Sequence, residues 1–189
     1  MKSMSVKTRK ISLMAVGIAM FVVLSLCLQV PVFENYYLCL GYVVMSVFCW
    51  SFGMLSGTVT GFFGVILYCV VISGMRGMPG WSLGNIVIGI ALGGTFRITR
   101  NLKSVALQTL IHCMVIVAST ALGILVVKSL TESILYMQPF AVRAAKNTSA
   151  FIADAAVLMI SLPLCRILDR PAKKYFPELH VSAARQREK

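Results

Sequence analysis

"YYLCLGYVVMSVFCWSFGMLSGTVTGFFGVILYCVVISGM", residues 36–75, runs for forty positions without a charged side chain. As a single α-helix it would be about 60 Å long, twice the roughly 30 Å of a bilayer's hydrocarbon core. The stretch is therefore read as two membrane-crossing helices joined by a tight turn. Gly53 and Gly57 in "FGMLSG" (52–57) mark that turn, because glycine weakens a helix and reaches backbone angles closed to other residues.

The rest of the 189-residue chain reads the same way. It is 58% hydrophobic and 13% charged, a balance far from soluble usage, and a soluble domain of this size leaves too much surface wet to hide it. Apolar periods place helices at about 11–30, 37–53, 58–75, 80–96, 104–127 and 148–168. The expectation is an all-α integral membrane protein of six transmembrane helices in a single domain, 1–189, with 169–189 as a short basic cytoplasmic tail. A barrel is excluded because the runs lack two-residue alternation. The mixed segment 128–147, "KSLTESILYMQPFAVRAAKN", carries Pro139 and is read as a loop or a surface-lying piece. Residues 1–30 imitate a secretory signal, but their apolar run is too long, and Leu26 stands where a lipoprotein signal needs a small residue before Cys27. The segment is read as a retained helix.

Charge sets the orientation. Of eighteen Lys and Arg, fourteen lie in the N-terminal tail, in "RITRNLK" (97–103) or from Arg166 onward, leaving Arg76, Lys128, Arg143 and Lys146 for the opposite face. The positive-inside rule then puts both termini in the cytoplasm and sends the 31–37, 73–80 and 128–147 connections outward. This clustering at membrane-facing ends also argues against nucleic acid as the partner of so basic a chain. The six cysteines show no CxxC pair and no histidine at metal-ligand spacing, so they read as small core side chains, and no metal or cofactor is expected.

Side chains too polar for their surroundings point to a site. Asp154 is the one carboxylate inside a predicted span, about 10 Å below the outer boundary, and such a group normally faces a bundle interior or water. It either pairs with Arg143, Lys146 or Arg76 or serves a ligand. Asn85 lies one turn below Trp81 in the same outer half, where it either bonds a neighbouring helix or lines a pocket. Trp81, Tyr36, Tyr37 and Tyr136 singly fit an aromatic belt. Together, Trp81, Asn85, Asp154, Tyr36, Tyr37, Glu34, Arg76 and Asn147 form the candidate ligand-binding set, with the turn 76–81 of "SGMRGMPGWSLGN" (73–85) as one wall. His112 reads as a packing residue of the inner half. Small residues four apart, including Ala15/Ala19, Gly53/Gly57/Gly61, Gly80/Gly84 and Gly89/Gly93, allow close helix approach, and for Ala15 and Ala19 internal packing and docking of another membrane subunit stand level.

The motor is missing. "GILVVKS" (123–129) lacks the glycine that precedes the lysine of a Walker A loop, and HExxH, GxSxG and paired intramembrane carboxylates are not found. No enzymatic activity and no catalytic residue is expected.

The length, the six spans, "AVGIA" (15–19) after a basic start, "LGYVVMSVFCWSFGMLSGTVTGFFGVILY" (40–68) and "GMPGWSLGNIVIGIALGG" (77–94) resemble the substrate-binding S components of energy-coupling factor (ECF) transporters, bacterial vitamin importers. The resemblance implies a multi-pass protein of the bacterial cytoplasmic membrane that captures a vitamin or precursor outside the cell. It implies docking on a membrane T subunit driven by two cytosolic ATPase subunits, with Ala15 and Ala19 matching the T-docking motif, loop 31–37 as gate and helices four to six as pocket. The second-to-fourth helix region looks nearest to the riboflavin/hydroxymethylpyrimidine-like branch, which favours a flat heteroaromatic ligand. Two alternatives from other classes are a self-contained proton-coupled secondary transporter using Asp154, and a non-transport membrane enzyme or assembly factor.

Overall fold

In a computed structural model, which describes residues 6–27, 31–33, 36–72 and 78–180, the chain turns at Gly53. Its φ of 92° and ψ of 171°, a backbone state that a Cβ disfavours, separate α2 (Gly41–Phe52) from α3 (Met54–Ile72). Before them, α1 (Val6–Cys27) leads into a small antiparallel hairpin, β1 (Pro31–Phe33) with β2 (Tyr36–Tyr37), where a plain loop was expected. Because the chain is still in β2 and a short coil over 36–40, α2 has twelve residues, not seventeen. At about 18 Å it is too short to cross the hydrocarbon alone, and it lies inside the bundle with most of its residues buried.

The remaining helices are longer than the sequence suggests. Helix α4 (Met78–Thr99) begins with Pro79 in its first turn, a position where the missing N–H is harmless, so Pro79–Trp81 is helix and not a free turn. Helix α5 (Val105–Thr120), capped by the Ser104 hydroxyl, passes without a break through a π-helical segment (Ala121–Lys128) into α6 (Ser129–Tyr136). Met137, at φ 52°, ends that rod. Pro139 then starts α7 (Phe140–Tyr175), its carbonyl accepting from the amides of Val142 and Arg143. The 128–147 segment is thus helical on both sides of one tight turn. Proline there opens a helix, and the mixed composition belongs to two helix ends packed on each other.

Five of these rods, α1, α3, α4, Val105–Tyr136 and α7, are long and apolar enough to span a membrane. Apart from the β1–β2 hairpin, the regular elements of the described residues are all helices, which fits a multi-pass membrane protein. The bundle has a hairpin end, with β1–β2, the start of α4 and the α6–α7 turn, and an opposite tail end. Phe21, Tyr42, Met45, Ile88, Leu92, Ile116, Ile124 and Leu158 fill the interior. Lipid tails are as apolar as leucine, so close contact rather than hydrophobic expulsion holds such helices together. Gly84 and Gly123 show this where α4 meets the π-helical segment: a Cβ on Gly84 would lie 2.6 Å from the Gly123 carbonyl oxygen, and one on Gly123 2.8 Å from that of Gly84.

Part of the expected C-terminal tail is ordered. Helix α7 runs 36 residues, and the turn behind it returns to the bundle. There Phe176 meets the Phe52 ring edge-on at 6.0 Å, Glu178 pairs with Arg9 at 3.0 Å, and buried His180 and Arg100 share Asp169. Residues 181–189 lie outside the described part.

Candidate functional site

Toward the hairpin end, three of the polar residues singled out above meet around a fourth that was not. Tyr42, the second residue of α2, is fully buried. Its hydroxyl accepts from Trp81 Nε1 at 2.8 Å and donates to Asn85 Oδ1 at 2.7 Å. The other side of the Asn85 amide, Nδ2, donates to the Gly61 carbonyl of α3 at 3.0 Å, which fixes the orientation of the amide. Asp154 of α7 reaches the same Tyr42 hydroxyl and lies in the field of Lys128. Helices α2, α3, α4 and α7 therefore converge on one hydrogen-bonded knot, in surroundings where each unpaired polar group would cost several kcal/mol.

Aromatic and cationic side chains cover this knot. Tyr68 meets the Trp81 ring edge-on at 5.7 Å, and Lys128 Nζ stands 5.8 Å from the centre of the same ring. Lys128 is the last residue of the π-helical segment. The knot offers two large rings, an amide, a carboxyl and an ammonium group within one half-buried patch. Flat ligands with ring nitrogens and carbonyls are recognised by stacking surface and a few placed donors and acceptors of this kind.

Asn147 lies two helical turns from Asp154 on the same buried stripe of α7, yet it belongs to a separate cluster. Its Nδ2 donates to Ser129 Oγ at 3.0 Å and to Glu132 Oε2 at 3.1 Å. Arg143 stands 3.8 Å from that carboxylate and 4.5 Å from the centre of the Tyr136 ring. Two expectations change here. Asp154 is not the one carboxylate among the helices, since Glu132 is equally buried. Among the described cations, Lys128 is the one that faces Asp154, while Arg143 is turned to Glu132.

The other candidates divide into those with a described position and those without. Ala15 and Ala19 are exposed on α1, on the side away from the buried stripe Gly17, Phe21 and Ser25. Tyr36 and Tyr37 form strand β2, but their side chains lie outside the described residues, as do Glu34 and Arg76 entirely. His112, in the tail-end half, pairs through Nε2 with Thr99 Oγ1 at 2.6 Å and packs against Trp50 and Phe96. A cavity of about 630 Å³ lies at the tail end between α1 and residues 174–179, remote from Trp81.

Sequence reasoning missed Tyr42, Tyr68 and Lys128. The signal for Tyr42 was a phenol inside an uncharged run, a group that seeks a partner when buried. For Lys128 the signal was hidden by reading its segment as a loop.

With this geometry in place, the comparison with known proteins is specific. A family model described as the ECF-type riboflavin transporter, S component, matches residues 5–170. No curated protein and no solved structure matches the chain. Because the matched region takes in every described helix but the end of α7, the protein belongs to the family of ECF-type riboflavin transporter S components, which are substrate-binding subunits of a transporter and not enzymes.

Proposed function

We propose that this chain is a high-affinity membrane receptor for riboflavin or a similarly flat heteroaromatic vitamin or precursor such as hydroxymethylpyrimidine. In this reading it takes the ligand from outside the cell and passes it inward by docking on a T subunit powered by two cytosolic ATPase subunits. The observation that carries the reading is the knot of Trp81, Tyr42, Asn85 and Asp154 roofed by Tyr68 and Lys128, in a chain of this family. Ring stacking would come from Trp81 and Tyr68. Asn85 and Asp154 would exchange their present partners for the ligand's ring nitrogens and carbonyls, so little new polar surface would be left unpaired. Glu34, Tyr36, Tyr37 and Arg76 would border the entrance, with 31–37 as gate.

The orientation that goes with this function places both termini in the cytoplasm of a bacterial cell, supported by the fourteen of eighteen cations gathered at the tail end and the chain termini. Ala15 and Ala19, small and turned away from the bundle, would form the contact with the T subunit.

Mass spectrometry of small molecules co-purifying with the detergent-solubilised chain tests the proposal directly. A flavin or another heteroaromatic vitamin is expected, and its affinity should fall about tenfold or more in both Trp81→Ala and Asp154→Asn, the usual consequence of losing a stacking or charge-assisted contact. Uptake into liposomes by this chain alone under a pH gradient would instead favour proton-coupled transport through Asp154. Full affinity in both variants would remove the knot from the binding site.

A further inference from the structure

The cavity of about 630 Å³ at the tail end is not part of the knot, and its lining is sorted by chemistry. Leu13 and Val16 of α1, with Phe176 and Leu179 of the returning turn, make its apolar wall, while Arg9 and Lys174 stand at its rim. From Arg9 to Cys27, α1 covers about 27 Å, close to the thickness of a hydrocarbon core. Arg9 therefore falls at the membrane–water boundary when Cys27 is at the other, and Val16 lies about 10 Å deeper. Tyr175 and Phe176, both exposed, mark the same level in the way interfacial aromatics do. The apolar wall continues along α1 through the exposed Val16, Met20 and Val23, which gives the cavity an apolar path along a helix long enough to span a membrane.

Charge narrows the occupant. One Arg9 nitrogen, Nη1, donates to Glu178 at 3.0 Å, which orients a guanidinium that carries five N–H donors in all. Lys7 and Lys10 flank Arg9 in the first turns of α1, and Lys173 precedes Lys174, so among the described residues of this corner cations outnumber the one acid, Glu178. Basic corners of this kind, set at the boundary with an apolar path below them, recognise anionic lipid headgroups.

We propose that this groove binds one anionic phospholipid, with its phosphate between Arg9 and Lys174 and one acyl chain along Leu13 and Val16. The site borders the face of α1 that carries Ala15 and Ala19, so a bound lipid would lie beside any protein docked on that face.

Native mass spectrometry of the full-length chain in detergent, supplied with phosphatidylglycerol or phosphatidylcholine of identical acyl chains, tests this. One phosphatidylglycerol is expected to be retained in preference to phosphatidylcholine. Its retention should fall at least about fivefold in the double variant Arg9→Gln/Lys174→Gln, in line with the worth of a basic side chain near a charged headgroup. Ser12→Trp, which fills the cavity without changing its charge, should lower retention as well and serves if the double variant does not fold. Equal retention of the two lipids, or undiminished retention in a folded variant, overturns the proposal. Glycerol 3-phosphate bound as tightly as the lipid would make this a small-anion site and overturn it too, and so would exclusion of lipid by a protein partner seated in the groove.

Discussion

Tyr42 Oη sits between a donor, Trp81 Nε1, and an acceptor, Asn85 Oδ1, and joins the two through its single oxygen. Replacing Tyr42 by Phe keeps the ring against Phe21, 6.2 Å away, and removes only the oxygen. Stranding a buried acceptor, Asn85 Oδ1, costs about 1–3 kcal/mol, and the part-buried Trp81 N–H loses its partner too, so Tyr42→Phe should lower stability in detergent by roughly 2 kcal/mol and weaken ligand binding with it. Thermal unfolding with and without ligand reads both effects, and an unchanged midpoint would contradict the knot. Glu132→Gln is the contrasting case. It keeps an acceptor for Asn147 Nδ2 but loses the charge facing Arg143, so a loss of about 1 kcal/mol in stability is expected, with ligand affinity little changed in the same titration. Trp81, Asn85 and Asp154 were legible as candidates because amides and carboxylates inside apolar runs need a reason to be there. Tyr42 was not, because a lone tyrosine near a span's end looks like any interfacial aromatic, and Glu132 was hidden by the proline that seemed to mark a loop.

At the level of elements, the crossing of α4 over the π-helical segment decides how Trp81 and Lys128 meet. Gly84 and Gly123 let the two backbones touch, and the wider π turn then brings Lys128 against Gly80 and the Trp81 ring. Ser129 Oγ accepts from Asn147 and donates to the Ile124 carbonyl at 3.2 Å, occupying one of the acceptors that the π geometry leaves in an unusual place. Gly84→Ala would press a methyl group on the Gly123 carbonyl. A loss of about 1–3 kcal/mol in stability is expected, accompanied by weaker ligand binding because the aromatic roof shifts; a thermal melt and a fluorescence titration on the same sample check it. The sequence shows Gly84 as one of a glycine pair spaced four apart, but Gly123 has no glycine or alanine at that spacing. The π turn has no pattern of its own in "STALGILVVKS" (119–129), since its register comes from packing. The turn at Gly53 was readable for the opposite reason: only the local backbone is involved, and glycine alone takes that angle without strain.

For the molecule as a whole, membrane residence follows from composition alone. Single cysteines placed near each terminus, in a background without the six native ones, should react with a membrane-impermeant maleimide only after the cells are opened; labelling of intact cells would reverse the orientation. Ala15→Leu/Ala19→Leu should abolish co-purification with a T subunit while leaving ligand affinity unchanged, because neither residue touches the knot. The lengths of the rods were less legible than their number, since helix ends that leave the hydrocarbon turn polar while staying helical, as α7 does on both sides of its span. Helix α1 buries only a narrow seam, Gly17, Phe21 and Ser25, against its neighbours, and much of the rest of its apolar surface is exposed. A visiting subunit that settles there trades one greasy solvent for another, a nearly even exchange in free energy. An attachment of that kind would form and dissolve readily many times over, as the shuttling proposed for this receptor requires.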